Sequence, residues 1–151
     1  NKTILVTGGL GFIGINFINR LFKKYNKIKI INIDKITNIS NHNNDVILKK
    51  KNNYKFFKID IANKKSVNYI FNNNQIDIVI NFAAESHVDN SIKNPSKFIQ
   101  SNIVGVNNLI EASMSQWMTR PNVYKKKFRE SFFLQISTDE VFGSIPIKKK
   151  N

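Results

Sequence analysis

Five short apolar runs rich in β-branched residues recur along the chain, each parted from the next by an amphipathic or polar stretch. "TILVT" (3–7), "KIKIINI" (27–33), "YKFFKIDI" (54–61), "IDIVINFAA" (76–84) and "SFFLQIS" (131–137) are short and bounded by turn signals, which predicts buried strands. Residues 12–24 carry Gly14, Ile18, Leu21 and Phe22 at helical spacing, with Lys23 and Lys24 in the last turn. Residues 63–74 predict a short helix, and Pro95 suits the first turn of a long one. The expected inner stripe of that long helix is Ile99, Ile103, Val106, Ile110, Ser113 and Trp117. Residues 35–53 are Asn-rich and irregular, and 119–130 predict a basic connector. Strands alternating with helices imply right-handed crossovers and a parallel sheet. Cover on both faces explains why the strands are continuous apolar runs. The predicted fold class is α/β: a doubly wound parallel sheet with helices on both faces, forming one domain over 1–151.

Composition narrows the function. No run approaches the ~20 apolar residues of a membrane span, and the first strand begins too early to leave room for a signal peptide. The chain has no cysteine, which removes disulfides and thiolate metal sites and fits a reducing cytoplasm. His87 has no second His or Cys at metal-ligand spacing, so no metal site is expected. It reads as a satisfied polar group buried near a turn, and His42 as a solvated loop residue. The net charge of +14 raises a nucleic-acid reading. Apart from Lys49-Lys50-Lys51, Lys125-Lys126-Lys127 and Lys148-Lys149-Lys150, however, the lysines are scattered. They accompany an excess of Asn and Ile, a bias that fits codon composition better than a binding stripe. No nucleic-acid or membrane partner is expected.

In "TGGLGFIG", Gly8, Gly11 and Gly14 stand between the first strand and the first helix. That position calls for a tight turn, close approach of a pyrophosphate to bare backbone, and close packing of helix on sheet. The helix N-terminus then offers free N–H groups to phosphate. Asp34 ends the second strand, where an acid accepts the ribose hydroxyls and favours NAD over a 2′-phosphorylated cofactor. Lys35 follows it and softens that discrimination. Asp60, at the end of the third strand, suits either the adenine amino group or the turn itself. Ala83 and Ala84 leave the fourth strand with small side chains, fitting close approach of a cofactor or tight helix–sheet packing alike. Glu85, Ser86 and His87 follow them at the carboxyl end, where ligands bind in such sheets. In "FLQISTDEVFGS", the fifth strand ends on Ser137, Thr138, Asp139 and Glu140, two adjacent acids that shift each other's protonation.

Taken in order, "TGGLGFIG", "DKIT", "DI", "AAESHVDNSI", "SNIVG…NLIEAS" and "STDEVFG" resemble the extended short-chain dehydrogenase/reductases. Within them the chain is most similar to the nucleoside-diphosphate-glucose 4,6-dehydratases, the dTDP-glucose branch above all. The resemblance covers nearly the whole chain. It implies a Rossmann-type sheet, NAD as a recycled cofactor, a sugar-nucleotide substrate and a homodimer. The family's reaction removes water across C5 and C6 of glucose, with hydride lent from C4 and returned to C6. By resemblance Asp139 is the acid, Glu140 the base, and Thr138 contacts the C4 hydroxyl. Phe12 and Ile13 sit at the phosphate turn; Asp34, Lys35 and Thr37 match the ribose segment; Asp60 and Ile61 match the adenine side. Phe82, Ala83, Ala84 and Glu85 line the nicotinamide half, Ser86 points to substrate, and Ser101 faces the cofactor.

Three features depart from the pattern. Ile15 replaces a usual small residue, Asn38-Ile39-Ser40 stand where Tyr-Ala-Gly is usual, and "VDNS" is closer to UDP-glucose relatives. The family's Tyr-x-x-x-Lys pair is also missing. Tyr25…Lys29 and Tyr54…Lys58 copy the spacing but precede the active-site strand, and within a strand such spacing does not unite the side chains as a helical turn does. The true pair and a sugar-nucleotide domain are therefore expected beyond Asn151, leaving this segment inactive alone. The competing expectations are a UDP-glucose 4,6-dehydratase, a 4-epimerase that would need no elimination acid, and a silent NAD-binding module.

Overall fold

The computed structural model describes residues 2–37, 48–138, 141 and 143. Five strands form one parallel sheet: β1 (Lys2–Thr7), β2 (Ile28–Asp34), β3 (Tyr54–Lys58), β4 (Ile78–Asn81) and β7 (Phe132–Gln135). Their order, β3-β2-β1-β4-β7, reverses direction at β1. That reversal opens a crevice beyond the carboxyl ends of β1 and its neighbours, the place where ligands bind in this architecture. Helix α1 (Phe12–Lys24) follows β1, and α2 (Lys64–Asn73) lies between β3 and β4. The segment after β4 holds α3 (Val88–Lys93), α4 (Pro95–Phe98), a π-helical turn (Ile99–Gly105) and α5 (Val106–Trp117). The expected Rossmann-type α/β fold is the one observed.

The three central strands, β1, β2 and β4, bury both faces, whereas the edge strands β3 and β7 are partly exposed. Ile4 and Val6 of β1 pack with Leu10, Ile15, Ile18 and Ile30 under α1. Leu5 packs with Ile31, Ile33, Ile70, Val79, Leu109 and Trp117 under α2 and α5. Ile15, the departure from the family pattern, is a fully packed core residue, so the larger side chain extends the α1 contact. Side-chain amides then tie the second layer to the sheet. Asn63 caps α2 by accepting the N–H of Ser66 at 3.0 Å. Gln116 bonds the α2–β4 connection at Phe71, Asn74 and Ile76, and the Trp117 indole donates to the Ile76 carbonyl at 2.7 Å.

The strands are shorter than the apolar runs. Ile59, Phe82 and Ile136 each make one further ladder bond, to Asp34, Thr7 and Asn81 respectively. The chains then splay apart to form the crevice, so "IDI", "FAA" and "IS" leave the sheet although their composition still reads as strand. The 119–130 connector also differs from expectation. It holds a small antiparallel pair, β5 (Met118–Arg120) with β6 (Val123–Tyr124), and a 3-10 turn at Lys126–Phe128.

A larger correction concerns the helix expected from Pro95. Ser113 and Trp117 face inward, but Ile99, Ile103 and Ile110 are 50%, 62% and 39% exposed. The π-helical turn is the cause. Its i→i+5 bonding adds a residue to the turn and rephases the helix, so the inward positions become Ser101, Gly105, Asn108, Leu109, Ala112 and Ser113. Gly105 is required there, because a Cβ would stand 2.5 Å from Cγ1 of Ile61. Asn108 closes the same contact by donating to the Ile61 and Ala62 carbonyls, both at 3.0 Å.

Candidate functional site

The first turn after β1 shows why glycine is needed. Gly8 lies at φ +64, and a Cβ there would come 2.7 Å from the Ala83 backbone nitrogen. The N–H of Gly11 reaches back to the Gly8 carbonyl at 3.1 Å, and a Cβ on Gly14 would strike that carbonyl at 2.4 Å. Gly11 caps α1 without any side-chain hydrogen bond. The helix therefore begins with bare N–H donors at its positive end, a ready site for an anion.

That turn floors a cleft of about 790 Å³, within the size range of small-molecule sites. Gly8, Gly11, Phe12, Ile13 and Gly14 line it beside Asp34, Lys35, Thr37, Asp60 and Ile61. Phe82, Ala83, Ala84, Glu85 and Ser86 close the far side, with Ser101 and Thr138. Every expected site residue that falls within the described set is thus in one cleft. Asp139 and Glu140 lie outside the described residues, as do His42 and Asn38-Ile39-Ser40. Phe12 is 85% exposed, an apolar ring left in solvent at the rim.

The polar groups are already tied together. Asp34 accepts the Leu10 N–H at 3.0 Å on one carboxylate oxygen and the Ile36 N–H at 2.8 Å on the other. Ile36 takes φ 59, a costly conformation for a β-branched residue, held at the exit of β2 by that second bond. Asp60 accepts the Ala62 N–H at 2.8 Å, so it braces its own turn as well as facing the cleft. A hydrogen-bonded row, buried at Thr7 and Asn81, crosses the sheet at the same level. Ala83 donates its N–H to Thr7 Oγ1 at 3.3 Å, the Thr7 hydroxyl donates to Asn81 Oδ1, and Asn81 Nδ2 donates to Gln135 Oε1 at 2.8 Å.

Three features were not foreseen. Asn102 grips Glu85 twice, accepting its N–H and donating to its carbonyl, each at 2.8 Å; only the π-helical turn brings it there. Lys35 bridges to Glu85 at 2.5 Å across the mouth of the cleft. Lys93, Asn94, Lys97 and Phe98 add a wall from a segment whose sequence gives no binding signal. His87 is exposed at this wall rather than buried beside a turn. Among the described residues no cluster of His, Cys, Asp and Glu could hold a metal, and no helix is long and apolar enough to cross a membrane. The decoy Tyr54 begins β3 with a buried ring whose hydroxyl accepts from Asn32 at 2.9 Å.

Known proteins resemble this chain in sequence and fold. The chain is 42% identical over 143 residues to a dTDP-glucose 4,6-dehydratase of Xanthomonas campestris, covering 95% of this chain and 39% of that protein. An Escherichia coli dTDP-glucose 4,6-dehydratase is 39% identical over the same length, with 38% of it covered. The chain therefore spans about two fifths of the curated relatives it matches. A Bacillus anthracis dTDP-glucose 4,6-dehydratase solved in complex with NAD superposes with a TM-score of 0.75 at 33% identity, over 100% of this chain and 42% of that one. A UDP-Glc/GlcNAc 4-epimerase of Campylobacter jejuni reaches 0.70 at 28% identity, over 77% and 34%. The family model described as GDP-mannose 4,6 dehydratase matches residues 5–151, and this chain belongs to that family.

Proposed function

We propose that the protein carrying this chain is an NAD-dependent sugar-nucleotide 4,6-dehydratase, a hydro-lyase that converts dTDP-glucose to dTDP-4-keto-6-deoxyglucose and water in rhamnose-type deoxysugar biosynthesis. One observation carries this reading. Thr138, the head of Thr138-Asp139-Glu140, lines the same cleft as the glycine turn and Asp34. The dTDP-glucose branch is supported by the names of the similar dehydratases.

The cleft fits a dinucleotide. The uncapped start of α1 receives the pyrophosphate at Gly8, Gly11, Phe12, Ile13 and Gly14. Asp34, with Thr37, takes the adenosine ribose, Lys35 standing beside it, and each Asp34 oxygen keeps a lone pair beyond its backbone bond. Asp60 and Ile61 border the adenine. Phe82, Ala83, Ala84, Glu85 and Ser101 border the nicotinamide half. A bound nicotinamide supplies a reversible hydride acceptor for the sugar carbons.

The remaining steps belong to side chains. Ser86 and Thr138 hold the sugar, Thr138 at the C4 hydroxyl. Once C4 is a ketone the C5 proton is acidic, and Glu140 removes it while Asp139 protonates the departing C6 hydroxyl, which leaves as water. Adjacent carboxyls in a closed site do not both ionise comfortably, which suits one as acid and the other as base. Each transfer is worth roughly 10²–10⁴-fold.

The reading extends to a Tyr-x-x-x-Lys pair and a sugar-nucleotide domain elsewhere in the full-length protein, with residues 1–151 as the NAD-binding domain. Exposed Phe132 and Leu134 on β7 give such a continuation an apolar surface to pack on. It extends also to a cytoplasmic homodimer. The outward apolar residues Ile99, Ile103, Ile110 and Met114, on the π-helical turn and α5, support a helix-to-helix contact.

The test is to incubate the full-length protein with dTDP-glucose and follow the product by mass spectrometry in deuterated water. Loss of water with deuterium at C5 is expected. An isomer of unchanged mass would instead indicate epimerisation and overturn the reading, and preferred turnover of UDP-glucose would move it to the UDP branch.

A further inference from the structure

Lysine beside the ribose-binding acid is a cation in the place where a 2′-phosphate would come. Here that cation is engaged elsewhere. The Lys35 ammonium meets Glu85 Oε1 at 2.5 Å, with the two side chains 37% and 24% exposed. Lys35 leaves β2 and Glu85 follows β4, while β1 with its glycine turn lies between those strands. The ion pair therefore crosses above the turn.

Both ends of the bridge are fixed. Asp34 bonds the N–H of Ile36 just past Lys35, and Ile36 turns the chain at φ 59. Asn102 holds the Glu85 backbone from the π-helical turn through two bonds. The lysine is thus paired with an acid from another strand, leaving Asp34 as the charge that meets the ribose. A phosphate there would face two carboxylates and a lysine already neutralised.

We propose that Glu85 determines the preference for an unphosphorylated adenosine ribose, acting through Lys35, by holding the lysine across the cleft from the position of a 2′-phosphate. Glu85 is a specificity-determining residue on this view, and Lys35 is the latent phosphate contact it restrains. The proposal rests on the dinucleotide reading of the cleft.

The experiment measures NAD and NADP affinities by calorimetry on the full-length protein stripped of cofactor. The variants are Glu85→Gln, Lys35→Met and the double variant. A partly solvated ion pair contributes little to folding, so the substituted proteins are expected to fold. In Glu85→Gln, NADP binding improves relative to NAD by about tenfold, the scale of one partly screened charge at short range. Adding Lys35→Met removes that gain. Lys35→Met alone leaves the ratio close to wild type, because the lysine is already held away.

An unchanged ratio in Glu85→Gln overturns the proposal, as does an equal weakening of both cofactors, which would make Glu85 a support of the cleft wall. A large loss of NADP binding in Lys35→Met alone overturns it too, since the lysine would already reach the phosphate. Wild-type protein that binds neither cofactor overturns the dinucleotide reading itself, an outcome distinct from a wrong ratio.

Discussion

Asp34 accepts the backbone N–H of Leu10 at 3.0 Å, so the acid at the end of β2 holds the glycine turn in place before any ligand arrives. Removing it costs both stability and binding. Asp34→Ala strands a buried N–H, at about 1–3 kcal/mol, and lowers dinucleotide affinity by more than tenfold. Asp34→Asn keeps an acceptor and loses less stability. Urea unfolding paired with calorimetry separates the two effects. Equal stability of Asp34→Ala and wild type would show that the Leu10 bond carries nothing.

Two glycines with similar backbones predict opposite outcomes. Gly8 and Gly143 lie at φ +64 and +70, but a Cβ on Gly8 meets the backbone of Phe82 and Ala83, whereas one on Gly143 meets nothing within 4 Å. Gly143→Ala loses about 1 kcal/mol for the conformation alone. Gly8→Ala adds a collision with backbone that has no room to retreat, and fails to yield folded protein or loses several times as much. Comparable melting temperatures for the two variants would show that the turn is looser than its contacts imply.

The Thr7–Asn81–Gln135 row makes a graded series. Thr7→Ser keeps the hydroxyl that receives the Ala83 N–H and stays close to wild type. Thr7→Val keeps the volume and leaves that N–H and Asn81 Oδ1 without their partner, at about 1–3 kcal/mol. The order Ser above Val in chemical unfolding is the expected result, and the reverse order would assign the site to packing alone.

The outward stripe predicts a change of assembly with little change of fold. Ile103 is 62% exposed, so Ile103→Glu gains solvation in an isolated chain and disrupts an apolar helix-to-helix contact. Sedimentation of the full-length protein is expected to move from dimer toward monomer. A dimer that survives Ile103→Glu would remove this face from the interface.

Glu111 joins α5 to α2 through Lys64 at 2.5 Å, and the hydrogen bond from Lys64 lowers its pKa below the ordinary 4.5. A lowered carboxylate stabilises the fold above its unfolded pKa, and the benefit is lost as pH falls through the folded value. The melting temperatures of Glu111→Gln and wild type should therefore differ slightly near neutrality and converge in acid. A gap that widens in acid would contradict the sign.

The parallel sheet was legible because β-branched runs and glycines report backbone demands directly. Gly8, Gly14 and Asp34 could be assigned from "TGGLGFIG" and the following strand, since each answers a local steric or hydrogen-bonding need. Strand ends were less legible: Ile61, Ala83 and Ala84 look like sheet residues until neighbouring strands diverge. The stripe through Ile99 and Ile103 misled because a 3.6-residue period was carried across a π-helical turn. Nothing in "IQSNIVG" announces that turn, whose inward Gly105 has meaning only against Ile61. Asn102 escaped for the same reason, and Lys93 and Lys97 because no motif marks the segment after β4 that carries them to the cleft.

The π-helical turn makes one wall of the cleft a matter of counting. Deleting a single residue within 99–105 would remove the extra residue that the wide turn takes up and let the segment close as an ordinary α-helix, redistributing the contacts made from inside the turn. Ser101, which lines the cleft, and Asn102, which anchors the Glu85 backbone twice, both lie inside that turn, so the wall and the anchors depend on its width. This stretch is therefore far more sensitive to length than to side-chain identity. A one-residue insertion or deletion here would do more harm than most substitutions, although it touches no reacting group.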